Sequence, residues 1–374
     1  GDHRDLHLSL RRQRQMCIRD SLMFMQLGFR DGLFDASVTV HRLFDADIVL
    51  ISPRSTSSVS MAGFPRRRLV QTMALPEVEG ITPVHWNLLL WRNPQTRGTR
   101  SILALGFEPG DPLFVDPTLA PKAQVLTQKG RVLFDEKSRP EFGPVAEWFR
   151  DGRTVESEIS GKRVRVAGLI ELGSSFGADG NLLTSSETFL ELLPNTPPGS
   201  IEVGLVRLQQ GTDAEAVVEK LNALLPEDVT VLTKQGFIDF EQNYWRTSTS
   251  IGFIFTLGAA MGFVVGCVIV YQVLYSDVSD HLPEYATLMA MGYKLRTLLG
   301  VVVREGLLLA LFGYLPAYAA GQGLYLLVRS ATALPVAMDF SRAITVFSMI
   351  LVMCMASAGL AMRRLVDADP AEIF

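Results

Sequence analysis

Cysteine is the first thing this sequence lacks. Its 374 residues include three, Cys17, Cys267 and Cys354. None falls between residues 35 and 246, so that polar region holds no internal disulfide. Histidine is also scarce. His3, His7, His41, His85 and His281 are the whole set, and none stands at metal-ligand spacing from a cysteine or carboxylate. HExxH and CxxC are both absent. Gly161-Lys162 is followed by Arg163 without the upstream glycine of a phosphate loop, so ATP binding by this chain is unsupported. Asp45, Asp47, Glu171 and Asp179 read as solvated faces or turns. With no nucleophile–base pair, metal set or cofactor motif, an enzyme is the least favoured class. A basic excess is missing too: 35 basic against 39 acidic residues leave a net charge of −4, which argues against a nucleic-acid partner.

Charge itself becomes scarce toward the end. Residues 249–374 carry 15 charged side chains in 126 positions, about 12%, whereas the first 248 carry 59, about 24%. Residues 247–276 carry no charge at all, and Ile251–Tyr275 alone meets the roughly 20 apolar residues needed to span a bilayer. Gly306–Val328 and Ala343–Met362 are similar uncharged runs. Backbone groups in hydrocarbon must be bonded within their own segment, so each run is expected to be a helix. Pro316, Gly321 and Gly323 are expected to distort the second one locally. Gly258, Gly262 and Gly266 form a GxxxGxxxG stripe that suits close helix packing. Lys294, Arg296, Arg304, Arg363 and Arg364 against Arg246, Arg329 and Arg342 favour a cytoplasmic C-terminus and an extracytoplasmic polar region.

Residues 1–20 hold five arginines and no long apolar run, so they are not a signal peptide. The string RRQRQMCIRDS resembles translated sequencing adapter. Residues 1–20 are therefore expected to be a foreign leader, and 21–34 the remnant of a first membrane helix. Residues 35–246 read as α/β. Asp47–Ser52 is a strand, Arg66–Ala74 a short helix and Ile81–Trp91 extended. Ile201–Leu208 and Val229–Leu232 are strands around a helix that Thr212 or Asp213 caps and that runs to Leu225. Two strand–helix–strand units, 45–91 and 200–245, are expected to share one sheet, with a β-rich insert over 92–199. Within that insert Lys162–Leu169 is the clearest strand, and 173–181 is a loop.

Between the first two spans lies a segment rich in signals. Asp277, Asp280 and Glu284 suit a helix N-terminus, Pro283 a first turn, and Gly292 a break before Lys294 and Arg296. A short helix over Pro283–Met291 is expected, with Leu288, Met289 and Met291 as a soft apolar surface for a partner. Glu284-Tyr285-Ala286-Thr287-Leu288-Met289-Ala290-Met291-Gly292, the basic pair and Glu305 resemble the cytoplasmic coupling pattern of FtsX-like permeases, the MacB type of ABC transporter subunit. The closing Arg363–Phe374 run resembles that family's basic, DPAE-like tail. LMFMQLGFRDGLFD, DADIVLISP, WRNPQTRGTRSILALGF and YATLMAMGY resemble the DevC branch, the permeases of cyanobacterial exporters.

The resemblance implies an α+β membrane protein: a transmembrane bundle plus a large extracytoplasmic α/β domain with a β-rich insert. The family has four spans, of which three are complete here, at 247–276, 297–328 and 343–362. A coupling segment lies at 277–296 and a cytoplasmic tail at 363–374. The implied role is a non-catalytic, homodimeric inner-membrane subunit. It transmits the motion of a separate ABC ATPase to a periplasmic domain that meets an adaptor protein and an outer-membrane channel. Glu284, Leu288, Met291 and Gly292 are the implied ATPase-contact residues. The implied cargo is a glycolipid or other envelope component. Rival roles are a regulator of a periplasmic cell-wall hydrolase and a lipoprotein-releasing permease.

Overall fold

The computed structural model describes residues 2–116, 118–173, 175, 177–332 and 337–367. The DPAE-like residues beyond 367, and Ser174 and Phe176 in the 173–181 loop, lie outside them. The chain divides into two compact units, residues 34–249, and residues 1–33 with 250–374.

The first unit is a nine-stranded mixed sheet flanked by short helices. In chain order its elements are α2 (Thr39–Leu43, after α1, Asp2–Ser37), β1 (Ile48–Ile51), β2 (Phe64–Pro65), α3 (Arg66–Gln71), β3 (Val78–Arg92), β4 (Thr99–Phe107) and α4 (Leu119–Ala123). There follow β5 (Arg131–Asp135), α5 (Val145–Arg150), β6 (Glu156–Ile159), β7 (Lys162–Ile170), β8 (Asn181–Ser185) and α6 (Ser186–Leu192). The unit closes with β9 (Ser200–Ile201), β10 (Val203–Leu208), α7 (Ala214–Leu224), β11 (Thr230–Thr233) and α8 (Lys234–Thr247). The sheet order is β11-β1-β10-β3-β4-β8-β5-β7-β6. Strands from both sequence-read units interleave at one end, β1 lying between β10 and β11. The strands of 92–199 extend the same sheet rather than forming a layer of their own, because β3 is long enough to serve both halves. Thr82 and Val84 pair with β10, and His85–Arg92 pair with β4.

Alternation along β3 puts its two tryptophans on opposite faces. Trp86 enters one apolar cluster with Val49, Leu105 and Phe237, and Trp91 another with Phe134, Phe142 and Phe189. Each indole finds a carbonyl: Trp86 Nε1 donates to Ser58 O at 2.6 Å and Trp91 Nε1 to Phe142 O at 3.2 Å. Helix starts are capped as their sequences require. Ser185, Asp213 and Thr233 accept the backbone N–H of Thr188, Glu215 and Gly236.

In the second unit α1 is followed, after the soluble segment, by α9 (Ser250–Asp280), α10 (Leu282–Ala290), α11 (Leu295–Thr332) and α12 (Phe340–Asp367). Residues 2–37 form a single helix, so the arginine-rich leader and the short apolar stretch share one element. Among the described residues three helices are long and apolar enough to cross a membrane: Gly252–Asp280, Arg296–Arg329 and Phe340–Leu360. α11 runs through Pro316 without a break. Phe253, Ile254, Leu257, Met261, Val264, Val265 and Val268 of α9 are all exposed, an apolar surface that water would not tolerate and lipid would.

α12 packs against both α9 and α11. Its buried residues Val346, Ile350, Met353, Ser357 and Ala358 recur at helical spacing. The matching stripe of α11 is Leu298, Val302, Gly306, Ala310, Gly313, Ala317 and Gly321, with small residues through its middle. Small residues there let helix backbones close up, where lipid leaves no hydrophobic drive.

In the sheet, Gly106 of β4 sits beneath α6, and a Cβ there would lie 2.6 Å from the Cβ of Phe189. Gly106→Ala should lift α6 and cost about 1–3 kcal/mol, as overpacking does. A lowered denaturant midpoint for the soluble unit of the full chain in detergent would register it, and an unchanged midpoint would contradict the packing.

Candidate functional site

α10 joins α9 to α11 by a tightly specified turn. Pro283 occupies the first turn, and Glu284 supplies its acidic charge. At the other end Gly292 adopts φ +94°. Gly292 N donates to Met289 O at 2.9 Å and Tyr293 N to Leu288 O at 3.1 Å. Those two bonds make a Schellman cap, and the left-handed residue it needs is glycine. At the start, His281 Nδ1 lies 3.0 Å from Asp277 O. That carbonyl, with the carboxylates of Asp277, Glu284 and Asp280, holds the exposed His281 above its ordinary range.

The four residues implied as the ATPase contact are divided by this geometry. Glu284, Met291 and Gly292 are exposed, whereas Leu288 is half-buried against the apolar cluster of the bundle, beside Leu282, Tyr285 and Met289. Tyr293, which sequence reasoning passed over, joins Met291 as an exposed large side chain. The glycine stripe of α9 faces α1 in part. A Cβ on Gly258 would lie 2.9 Å from Gln26 Oε1, and Gly262 borders a small gap lined by Leu22, Met23, Gln26 and Met349. Gly266 is buried. α1 is also held by polar contacts. Asp31 meets the nearly buried Arg342 at 3.2 Å, and Tyr325 donates its hydroxyl proton to Phe24 O.

In the soluble unit, polar side chains gather around α8, the helix before α9. Glu241 is fully buried. Its Oε2 accepts from Ser58 N at 2.6 Å, and its Oε1 from Ser58 Oγ at 2.6 Å and Trp245 Nε1 at 2.7 Å. Burial pushes its carboxyl above the usual range despite those donors. His41 of α2 lies 4.6 Å from the ring of Phe237 and 5.3 Å from that of Trp86, with no hydrogen-bond partner on either nitrogen. Burial drives its pKa down to about 3, so it is neutral. Arg246 stacks over Phe34, which pairs the ends of α8 and of α1's soluble part.

A second buried carboxylate, Glu202, accepts from Trp86 N at 3.2 Å and lies 3.1 Å from His85 Nδ1. Periodicity cannot find such residues, because an acid in a strand or helix reads as part of a solvated face until its donors are known. The acids singled out in the sequence have structural partners. Asp47 accepts from Leu208 N, Asp45 pairs with Arg207, Asp179 with Arg100 and Arg139, and Glu171 with Lys137. A cleft of about 620 Å³ near residues 136–147 is lined by Glu136, Glu141, Glu147 and Arg139. Arg150 holds Glu136, and Arg100 lies 3.6 Å from Glu141. Among the described residues no three His, Cys, Asp or Glu side chains converge as a metal set.

Residues 256–370, which contain α10 and the spans around it, match the family described as FtsX-like permease C-terminal. Two curated relatives from Mycobacterium tuberculosis, strains CDC 1551 / Oshkosh and ATCC 25618 / H37Rv, are described as uncharacterized ABC transporter permeases. Each is 23% identical over 224 residues, covering 60% of this chain and 58% of the relative. The chain thus spans less than two thirds of the length of the curated relatives it matches. Among solved structures, the periplasmic region of MacB from Actinobacillus actinomycetemcomitans aligns with 52% of this chain and 92% of its own. Its identity is 12% and the TM-score 0.36. The extracellular domain of the noncanonic ABC-type transporter YknZ from Gram-positive bacteria aligns with 50% and 98%, at 13% identity and a TM-score of 0.32.

His41 makes the pH dependence of the soluble unit testable. An unfolded chain protonates this histidine below about 6.5, but the folded unit does not until about 3. Between those values the unfolded state binds the extra proton, so stability is lost as pH is lowered, at about 1.4 kcal/mol per unit from this group. Buried Glu241 and Asp135, whose carboxyls are pushed up by burial, work in the opposite sense above the ordinary carboxylate range. The difference between wild type and His41→Phe isolates the histidine. His41→Phe should flatten the loss of stability between pH 6.5 and 5, measured by thermal unfolding of the full chain in detergent. An unchanged slope would show that His41 is not held neutral.

Proposed function

We propose that this chain is the permease subunit of an FtsX-type ABC exporter. It would convert ATP-driven motion of a separate ATPase into movement of its soluble unit on the far side of the inner membrane. The observation that carries the reading is the capped helix α10 between two membrane-length helices, within the segment that matches the FtsX-like permease C-terminal family. A short rigid helix tied at both ends to spans transmits a push; a flexible loop would absorb it. Met291 and Tyr293, exposed at its C-terminal cap, offer an adaptable apolar contact, and Glu284 adds a charge to it.

On this reading two copies pair with two ATPases, and α10 lies at the cytoplasmic face with the C-terminus. The soluble unit is periplasmic and works with an adaptor protein and an outer-membrane channel. The cargo is a glycolipid or another envelope component, and the substrate need not pass between the spans. The glycines at 258, 262 and 266 serve helix packing. Leu288 has a double duty, because it supports α10 from the bundle side as well as filling out the contact.

That double duty decides the test. Leu288→Asp would disturb bundle packing and contact together. Met291→Asp and Glu284→Arg alter only exposed positions, and each should weaken association with the ATPase at least about tenfold, the scale of an interface hot spot. Thermal unfolding of the permease should stay within a few degrees of wild type. Unchanged co-purification with the ATPase and unchanged stimulation of ATP hydrolysis in both variants would overturn the assignment.

A further inference from the structure

We infer that Glu241 is a positioning residue for force transmission: it latches α8 to loop 52–63, and through that loop to strand β3 in the centre of the sheet. The inference rests on the permease reading above and extends it into the soluble unit.

The chain enters α9 at Ser250, with only Ser248 and Thr249 between it and the end of α8. Along the chain, movement of that membrane helix is therefore delivered to the soluble unit at α8. Apolar side chains of α8, Phe237 and Ile238, are buried, but an apolar contact fixes neither register nor direction. Glu241 fixes both. One carboxylate takes the N–H and the hydroxyl of Ser58, and a donor from its own helix one turn on, Trp245 Nε1. The same Ser58 turns its carbonyl toward Trp86 Nε1, 2.6 Å away, and Trp86 lies near the middle of β3. An unbroken chain of hydrogen bonds thus runs from α8 through Ser58 to the sheet.

Loop 52–63 is itself braced. Ser55 N donates to Ser52 O, Ser60 N to Ser57 O, and Ala62 N to Ser55 Oγ. A displacement delivered at Ser58 is therefore handed on to the strand. A carboxylate is an expensive way to fill this space. Desolvation makes a well-packed apolar residue at least as stabilising, so a fully buried acid is better explained by the specific geometry it imposes than by stability.

The test compares full-length wild type, Glu241→Ala, Glu241→Gln and Ser58→Ala in nanodiscs with the co-purifying ATPase. Amide hydrogen exchange is followed with and without ATP plus vanadate. In wild type, exchange in 234–247 and in 52–63 should change together, by about fivefold. Glu241→Ala should keep the change in 234–247 and lose it in 52–63. Glu241→Gln, which retains an acceptor for Ser58, should restore both. Should Glu241→Ala fail to fold, Ser58→Ala, which removes one bond from the opposite side, should reduce the change in 52–63 alone. A wild-type response of 52–63 in Glu241→Ala, or in Ser58→Ala where that variant stands in, overturns the latch and leaves the permease reading intact. No nucleotide-dependent change in either segment of the wild type overturns the permease reading and the latch with it.

Discussion

One strand changing partners holds the soluble unit together. β3 pairs with β10 up to Val84 and with β4 from His85 onward. At such a handover the backbone groups on the departing side lose their ladder partners, and a buried N–H left open is costly. Glu202, between β9 and β10, meets that need by accepting from Trp86 N, with the His85 imidazole beside it. Glu202 N in turn donates to Val84 O at 3.3 Å. By alternation, Pro83 turns its missing N–H toward the edge that β10 does not occupy, so a proline inside a central strand does no harm there. The two apolar clusters on either side of the sheet then share one spine.

The membrane unit solves a different problem. Burying apolar surface gains nothing against lipid, so what orders the helices is close approach and local polar contacts. α12 meets the small-residue stripe of α11 at Gly306, which lies against Cys354, while Gly321 lies against Phe24 of α1. α12 also contributes a polar contact through Ser357 Oγ, which donates to Cys267 O of α9 at 3.0 Å. α1 is secured by Asp31 on Arg342 and by the Tyr325 hydroxyl. These are contacts that a mean hydropathy conceals, because each needs only one polar atom on an otherwise apolar face.

Much of this was legible in the sequence, for reasons that can be named. The α/β character and the three apolar spans follow from periodicity and charge spacing. The strands at 48–51 and 203–208 and the Asp213-capped helix lie within a residue or two of expectation, because their signals are local. Long-range choices were not legible. Nothing local says that residues 99–185 extend the sheet of β1 and β10, since only the length of β3 permits it. The glycine pattern on α9 drew attention by its regularity. The buried stripe of α11 mixes Gly and Ala and so breaks the motif while keeping the physics. Isolated acids such as Glu202 and Glu241 look like surface residues until the neighbours that donate to them are known.

The two ends of the proposed transmission path use opposite chemistry, and the difference fits their tasks. At α10 the fold is set by backbone caps, which leaves Met291 and Tyr293 free to meet a partner. Soft, exposed side chains at the capped end of a short helix suit a contact that must form and release with each nucleotide cycle. At α8 the fixing group is a buried carboxylate with three donors around it, out of reach of water. Such an attachment is costly to make and costly to break, so it suits a joint that has to stay closed while the helix it holds is moved. A surface salt bridge, worth roughly 0–1 kcal/mol and screened by salt, would not serve there. The expense of burying Glu241 is then the cost of a joint that does not slip.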